Sequence, residues 1–186
     1  MIVCGIDYSL TSPAITIHKG NEWSVENCRF YYMSQKPKNI VDTHRFHGTL
    51  YPKFDSDTHR YHNLSSWSID IVSSADTVFV EGYAFGAVGR VFQIAENAGL
   101  LKYFMWQRGV PFHVFAPTEI KKHATGKGNS PKDKLYDAFL AETGVDIRQE
   151  LGIMNVNDWN PVSDIVDSYY IAKLGFLKEM QNANHT

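Results

Sequence analysis

Four acidic residues stand where chemistry explains them better than folding does. Asp164 and Asp167, in Asn160-Pro161-Val162-Ser163-Asp164-Ile165-Val166-Asp167-Ser168, are three apart at the start of a helical pattern, so both fall on one helix face. Asp7 closes a β-branched run at residues 2–6, and Glu81 closes an almost wholly apolar run at residues 77–80. Taken singly, Asp7 suits a turn, and the aspartate pair suits a helix N-terminus, where negative charge is favoured. A carboxylate at the tip of an apolar strand is harder to place without a partner or ligand. Brought together, the four form an all-oxygen donor set of the kind that holds hard cations such as Mg²⁺, with Mn²⁺ as a substitute. Two such ions roughly 3.5–4 Å apart can hold both the attacking and the departing oxygen of a phosphodiester. The expected chemistry is therefore phosphodiester hydrolysis with two ions per site.

A second feature is basic. Lys121, Lys122, Lys127, Lys132 and Lys134 surround Gly126-Lys127-Gly128-Asn129, with Asp133 the single acid between positions 121 and 134. A pliable backbone ringed by like-charged lysines can close on phosphates, and such contacts make binding salt-dependent. Tyr83 and Phe85, just beyond Glu81, could stack on bases or wedge between them.

These residues need a scaffold that brings strand ends to one helix. Residues 2–7, 14–18 and 23–33 read as three antiparallel strands separated by Ser9-Leu10-Thr11-Ser12-Pro13 and Lys19-Gly20-Asn21. Residues 34–62, with Pro37, Pro52, His44, His47, His59 and His62, show neither period and read as a loop-rich insertion; the histidine spacing lacks the tight pairs of a zinc site. A helix is expected from Asn63 to about Ser73, a doubly covered strand at residues 77–81, a helix over 88–108 and a strand at 111–116. Pro117 fits the first turn of a further helix. Residues 132–143 form another, 144–158 connect, and Pro161 opens the last helix, with Ile165, Tyr169, Ala172 and Phe176 as its apolar stripe. Alternating strands and helices make this an α/β protein.

The 186 residues are enough for one domain with a substantial core, and 44% hydrophobic residues with 20% charged is not a disordered composition. A single domain over residues 1–186 is expected. No run approaches the roughly 20 apolar residues of a membrane span, and the N-terminus does not have the form of a signal peptide, so the expected location is cytoplasmic, with no membrane partner. Cys4 and Cys28 lie in strands without close spacing and read as buried thiols. A formal net charge of −2 excludes a wholly basic, histone-like surface and leaves room for the local lysine patch.

Gly5-Ile6-Asp7-Tyr8-Ser9, Val80-Glu81-Gly82 and Ser163-Asp164-Ile165-Val166-Asp167-Ser168, in this order, resemble the RuvC family of Holliday-junction resolvases within the RNase H-like superfamily. The lysine segment, with Lys121 and Lys132 on either side of Gly126-Lys127-Gly128, is similar to that family's basic segment. The resemblance implies an RNase H-like fold with a five-stranded mixed sheet, and a homodimer whose two sites each cut one strand of a four-way or otherwise branched DNA. It implies Asp7, Glu81, Asp164 and Asp167 as metal ligands and Lys121 and Lys132 as contacts near the scissile phosphate. The family's aromatic wedge position falls here on Ala84, between Tyr83 and Phe85, and the insertion at 34–62 is longer than the family pattern. Both departures suit a divergent, phage-type member acting in a host cytoplasm.

Other readings make different demands. An RNase H-like nuclease of flaps or RNA–DNA hybrids would share the acids but prefer another substrate. A non-cleaving junction-binding protein would not need all four. A sugar-kinase or actin-like ATPase could use Gly5-Ile6-Asp7-Tyr8-Ser9 as a phosphate hairpin, but that architecture takes two such domains.

Overall fold

A computed structural model describes residues 1–82 and 90–183. Its strands are β1 (Ile2–Asp7), β2 (Ala14–Lys19), β3 (Cys28–Ser34), β4 (Phe46–Leu50), β5 (Thr77–Glu81) and β6 (Phe112–Phe115). The helices are α1 (Asp57–Val72), α2 (Val91–Gln107), α3 (Pro117–Thr125), α4 (Lys132–Thr143), the single turn α5 (Ile147–Glu150) and α6 (Val162–Ala183). The strands form one mixed sheet in the order β4-β3-β2-β1-β5-β6. The pairs β1–β2 and β2–β3 are antiparallel, while β1–β5, β5–β6 and β3–β4 are parallel.

Side-chain alternation divides the core into two layers. Val3, Phe79 and Phe115 face the helices α3, α4 and α6. Cys4, Ile6, Val78 and Val80 face α1 and α2. Gly5 shares the first face, because side chains two apart point the same way. There α6 lies directly on the strand: a Cβ on Gly5 would come within 2.2 Å of the Ala172 nitrogen and 2.4 Å of the Ser168 carbonyl oxygen. Gly175 does the same from the helix side, where a Cβ would sit 2.2 Å from the Phe79 ring. Two glycines thus let a 22-residue helix seat flush on β1 and β5, and Thr16 on β2 ties it down through a 2.8 Å hydrogen bond with Ser168.

The expected antiparallel opening, the doubly covered β5 and the helices at residues 117–125 and 132–143 are present. Three expectations change. The sheet has six strands rather than five, because Phe46–Leu50, inside the segment read as loop, pairs with β3. Phe46 is fully buried and stacks on Phe30 at 5.1 Å, but the strand is short and its other face is polar, so alternation was too brief to read. Helix α1 begins six residues earlier than expected, at Asp57, because Ser56 accepts the His59 N–H as an N-cap; Arg60, a buried residue on that first turn, disguised the apolar period. The third strand starts at Cys28 rather than Trp23, since residues 25–27 form a 3₁₀ turn capped by Ser24. Cys4 and Cys28 are buried free thiols, and burial pushes the pKa of each up to about 12.

Candidate active site

The parallel pairing of β1 with β5 puts Ile6 opposite Val80, so the next residues, Asp7 and Glu81, end adjacent strands side by side. Asp7 lies two beyond Gly5 and Glu81 two beyond Phe79, so both point to the face on which α6 packs. Helix α6 begins beyond these strand ends, and Asp164 lies one turn before Ser168, the residue seated over Gly5. Asp167 is on the same face. The close approach at Gly5 is what brings α6's acids to the strand tips.

The electrostatics show that the four are one cluster. Asp7, 9% exposed, is held well above the usual carboxylate range by burial first and then by Asp164, Glu81 and Asp167, with Lys132 opposing. Glu81 is pushed up to about 7 by burial and Asp167, with Lys121 opposing and Asp164 adding to the rise. Asp164 reaches about 7 through burial, opposed by a hydrogen bond from Ser12 and by Lys132. Asp167 reaches about 6 through burial, with Lys132 and Lys121 opposing. Among the described residues, the one side-chain hydrogen bond to these carboxylates is that of Ser12 Oγ to Asp164 Oδ2, 3.0 Å. Buried carboxylates of one sign, short of donors and close enough to raise one another, are an arrangement that cations would relieve.

Among the described residues no three His, Cys, Asp or Glu side chains are drawn tightly enough together to form a metal cage as they stand. The donor chemistry nevertheless fits hard divalent cations, because every candidate ligand is a carboxylate.

The lysines separate into two groups. Lys132, exposed at the start of α4, donates from Nζ to Ser163 Oγ at 3.1 Å; among the described residues it and Lys121 on α3 are the cations that act on the acids. Lys122 and Lys127 are exposed, and neither is among the charges that act on the acids. Lys134 pairs with Asp137 at 3.0 Å on the surface. The basic segment therefore sends two lysines to the acids and leaves three at its periphery. Tyr83 and Phe85 lie outside the described residues.

Sequence reading missed Ser12, which orients Asp164, and Ser163, which holds Lys132. Both sit in quoted motifs, but only tertiary contact reveals their partners. It also missed a cavity of about 520 Å³ beside the acids, lined by Asp7, Glu81, Tyr8, Leu10, Ile94 and Lys121 among others.

Fold and site together define a class: a mixed α/β sheet of RNase H-like type, with acids from two central strand ends and a covering helix converging beside two lysines. Within that class the fold is that of RuvC. The structure superimposes on Thermus thermophilus RuvC in complex with Holliday junction substrate with a TM-score of 0.65 at 15% identity, covering 97% of this chain and 96% of that one. Thermus thermophilus RuvC on its own gives 0.60 at 14% identity, over 97% of each chain. The fowlpox virus resolvase bound to Holliday junction DNA gives 0.54 at 17% identity, over 96% and 98%. In sequence the chain is similar to the crossover junction endodeoxyribonuclease RuvC of Gloeobacter violaceus, 30% identical over 70 residues, and of Corynebacterium diphtheriae, 34% identical over 61 residues. These matches span 38% and 32% of this chain and only 40% and 37% of the two curated relatives. No protein-family profile matches the chain.

Proposed function

We propose that this chain is a metal-dependent endodeoxyribonuclease that cuts four-way or branched DNA. The observation that carries this is the convergence of Asp7, Glu81, Asp164 and Asp167 with Lys121 and Lys132 at the strand ends of a RuvC-like fold. In this reading the four acids would hold two Mg²⁺ ions, with Mn²⁺ as a substitute. The ions would supply the Lewis acidity that activates water and steadies the departing 3′ oxygen. Ser12 fixes Asp164 by donating to Oδ2. Lys132, steadied on Ser163, and Lys121 meet the scissile phosphate and offset its charge in the transition state. Lys122, Lys127 and Lys134, at the margin, contact flanking phosphates. Tyr83 and Phe85 remain our candidates for the base-stacking residue.

A junction offers two strands to cut, and a homodimer would supply two sites. Support for self-association comes from α2, whose outer face exposes Phe92 at 81% and Trp106 at 71%. These lie two turns either side of Gly99, a position with open space around it. Large exposed apolar patches mark association surfaces. Among the described residues no helix is long and apolar enough to cross a membrane.

The test compares cleavage of a four-way junction, a flap, an RNA–DNA hybrid and linear duplex in Mg²⁺ and in Mn²⁺. Preference for the junction is expected, with cleavage abolished in Asp7→Asn and Asp167→Asn while junction binding persists. Preference for the hybrid would replace this reading with that of an RNase H-like nuclease. Junction binding with no cutting by the wild-type chain would make it a binding protein.

A further inference from the structure

The turn between β1 and β2 joins two site residues, Asp7 at its start and Ser12 near its end. Inside the turn, Ser9 Oγ accepts the Ser12 N–H at 2.9 Å, and Tyr8 Oη is hydrogen-bonded to Ser65 of α1 at 2.8 Å. Its midpoint is gripped from outside. The Leu10 carbonyl accepts Arg60 Nε at 3.1 Å, Arg60 Nη2 at 2.5 Å and Tyr51 Oη at 2.6 Å, and Arg60 Nε also donates to Tyr51 Oη at 2.9 Å.

Arg60 is an expensive way to satisfy one carbonyl. It is 5% exposed, and no carboxylate among the described residues pairs with it. Its guanidinium instead lies 4.9 Å from the Phe54 ring and 5.8 Å from that of Tyr51. Burying a cation without an acid partner is costly, and water or a single hydroxyl could serve a turn carbonyl. What the guanidinium adds is direction, because its planar fork fixes an acceptor more rigidly than a rotatable group does.

We infer that Arg60 and Tyr51 are positioning residues for the acid cluster: by locking the Leu10 carbonyl they hold Ser12 Oγ on Asp164 and so fix the orientation in which that carboxylate would hold a cation. This rests on the nuclease reading above. It also gives a role to the segment at 34–62, which contributes Tyr51 and Phe54 and delivers the chain to α1. The aromatic pair walls the guanidinium from solvent, and the phenol shares its acceptor.

The test uses the full chain without DNA, with Mn²⁺ binding followed by calorimetry, alongside circular dichroism. Removing a group that orients a metal ligand typically costs 10- to 100-fold in affinity or activity, so Arg60→Met is expected to weaken Mn²⁺ binding about tenfold and Tyr51→Phe by a few-fold. Ser12→Ala should reproduce the loss, and Arg60→Met combined with Ser12→Ala should lose no more than the larger single change, since residues in one chain of contacts are not additive. In cleavage assays kcat should fall while junction affinity measured in EDTA holds. Arg60→Met is the variant at risk of unfolding; Tyr51→Phe removes one hydroxyl and keeps the test open. Folded variants with wild-type Mn²⁺ affinity, or losses that add, would overturn the positioning role. A wild-type chain that binds no Mn²⁺ would remove the nuclease reading and the inference with it, an outcome distinct from a variant that matches a binding-competent wild type.

Discussion

Asp164→Asn should stabilise the metal-free protein while destroying its cation response. Asp164 is 7% exposed, and its folded pKa is raised from 3.8 to about 7. An acid whose pKa is raised by folding keeps a proton in the folded state that the unfolded chain has already released. Stability contributed by its protonated form is therefore full below about pH 4 and is lost as pH rises from there to about 7, staying low above. At about 1.4 kcal/mol per pKa unit, the interval from 3.8 to about 7 corresponds to a cost on the order of 4 kcal/mol at pH 8. Asparagine removes the charge and keeps an oxygen to accept from Ser12, but its amide must be buried, so roughly half of that, about 2 kcal/mol, is expected as net gain. For a domain of this size that is a rise in melting temperature of roughly 4–8 °C. The assay is thermal unfolding in EDTA at pH 4, 6 and 8, repeated with Mg²⁺. Wild type should melt lower at pH 8 than at pH 6 and recover with Mg²⁺; the variant should show a shallower slope and little recovery. If Asp164→Asn melts below wild type in EDTA at pH 8, with the pH slope unchanged, the buried-charge account is wrong.

Gly5→Ala should lower the melting temperature and reduce cleavage by more than the lost stability explains, because its Cβ would meet Ala172 and Ser168 backbone at 2.2–2.4 Å and must lift α6 with both aspartates; overpacking of this kind costs about 1–3 kcal/mol or more, readable by denaturant titration beside a cleavage assay. Lys132→Ala should weaken junction binding and reduce the slope of log affinity against log salt by about one, measured between low and moderate salt; an unchanged slope would remove Lys132 from phosphate contact. His18 is fully buried, stacked on Trp23 at 4.4 Å, with Nε2 on the Glu22 carbonyl and Nδ1 without a partner among the described residues. Burial lowers its pKa, so the unfolded chain takes up the proton first as pH falls below about 6.5, and stability drops until the lower folded pKa is passed. Denaturant titrations at pH 7.5 and 5.5 should show this drop in wild type and a smaller one in His18→Phe.

What could be read from sequence depended on whether a residue's reason was local. Glu81 was conspicuous because an apolar strand has no local use for it, and Asp164 with Asp167 because helix spacing fixes their common face. Pro117 and the glycines after α3 and α4, Gly126 and Gly144 at positive φ, announced helix ends by their own backbone chemistry. Phe46–Leu50 was hidden because a short, half-polar strand is defined by its neighbour β3 rather than by itself. Gly5 was read as part of a motif, but its use, a missing side chain that admits a helix backbone, exists only once α6 arrives. Arg60 is the extreme case. It fell inside the segment read as a loop-rich insertion, and the fold instead buries it on α1 against a carbonyl fifty residues back in the chain. The acids of such a site announce themselves by type, whereas the groups that aim them, Ser12, Ser163, Tyr51 and Arg60, are ordinary residues whose role lies wholly in tertiary contact. A sequence can thus carry its chemistry visibly while concealing the scaffold that sets its precision, and substitutions at those four positions are where function should fail without any visible change to the acids.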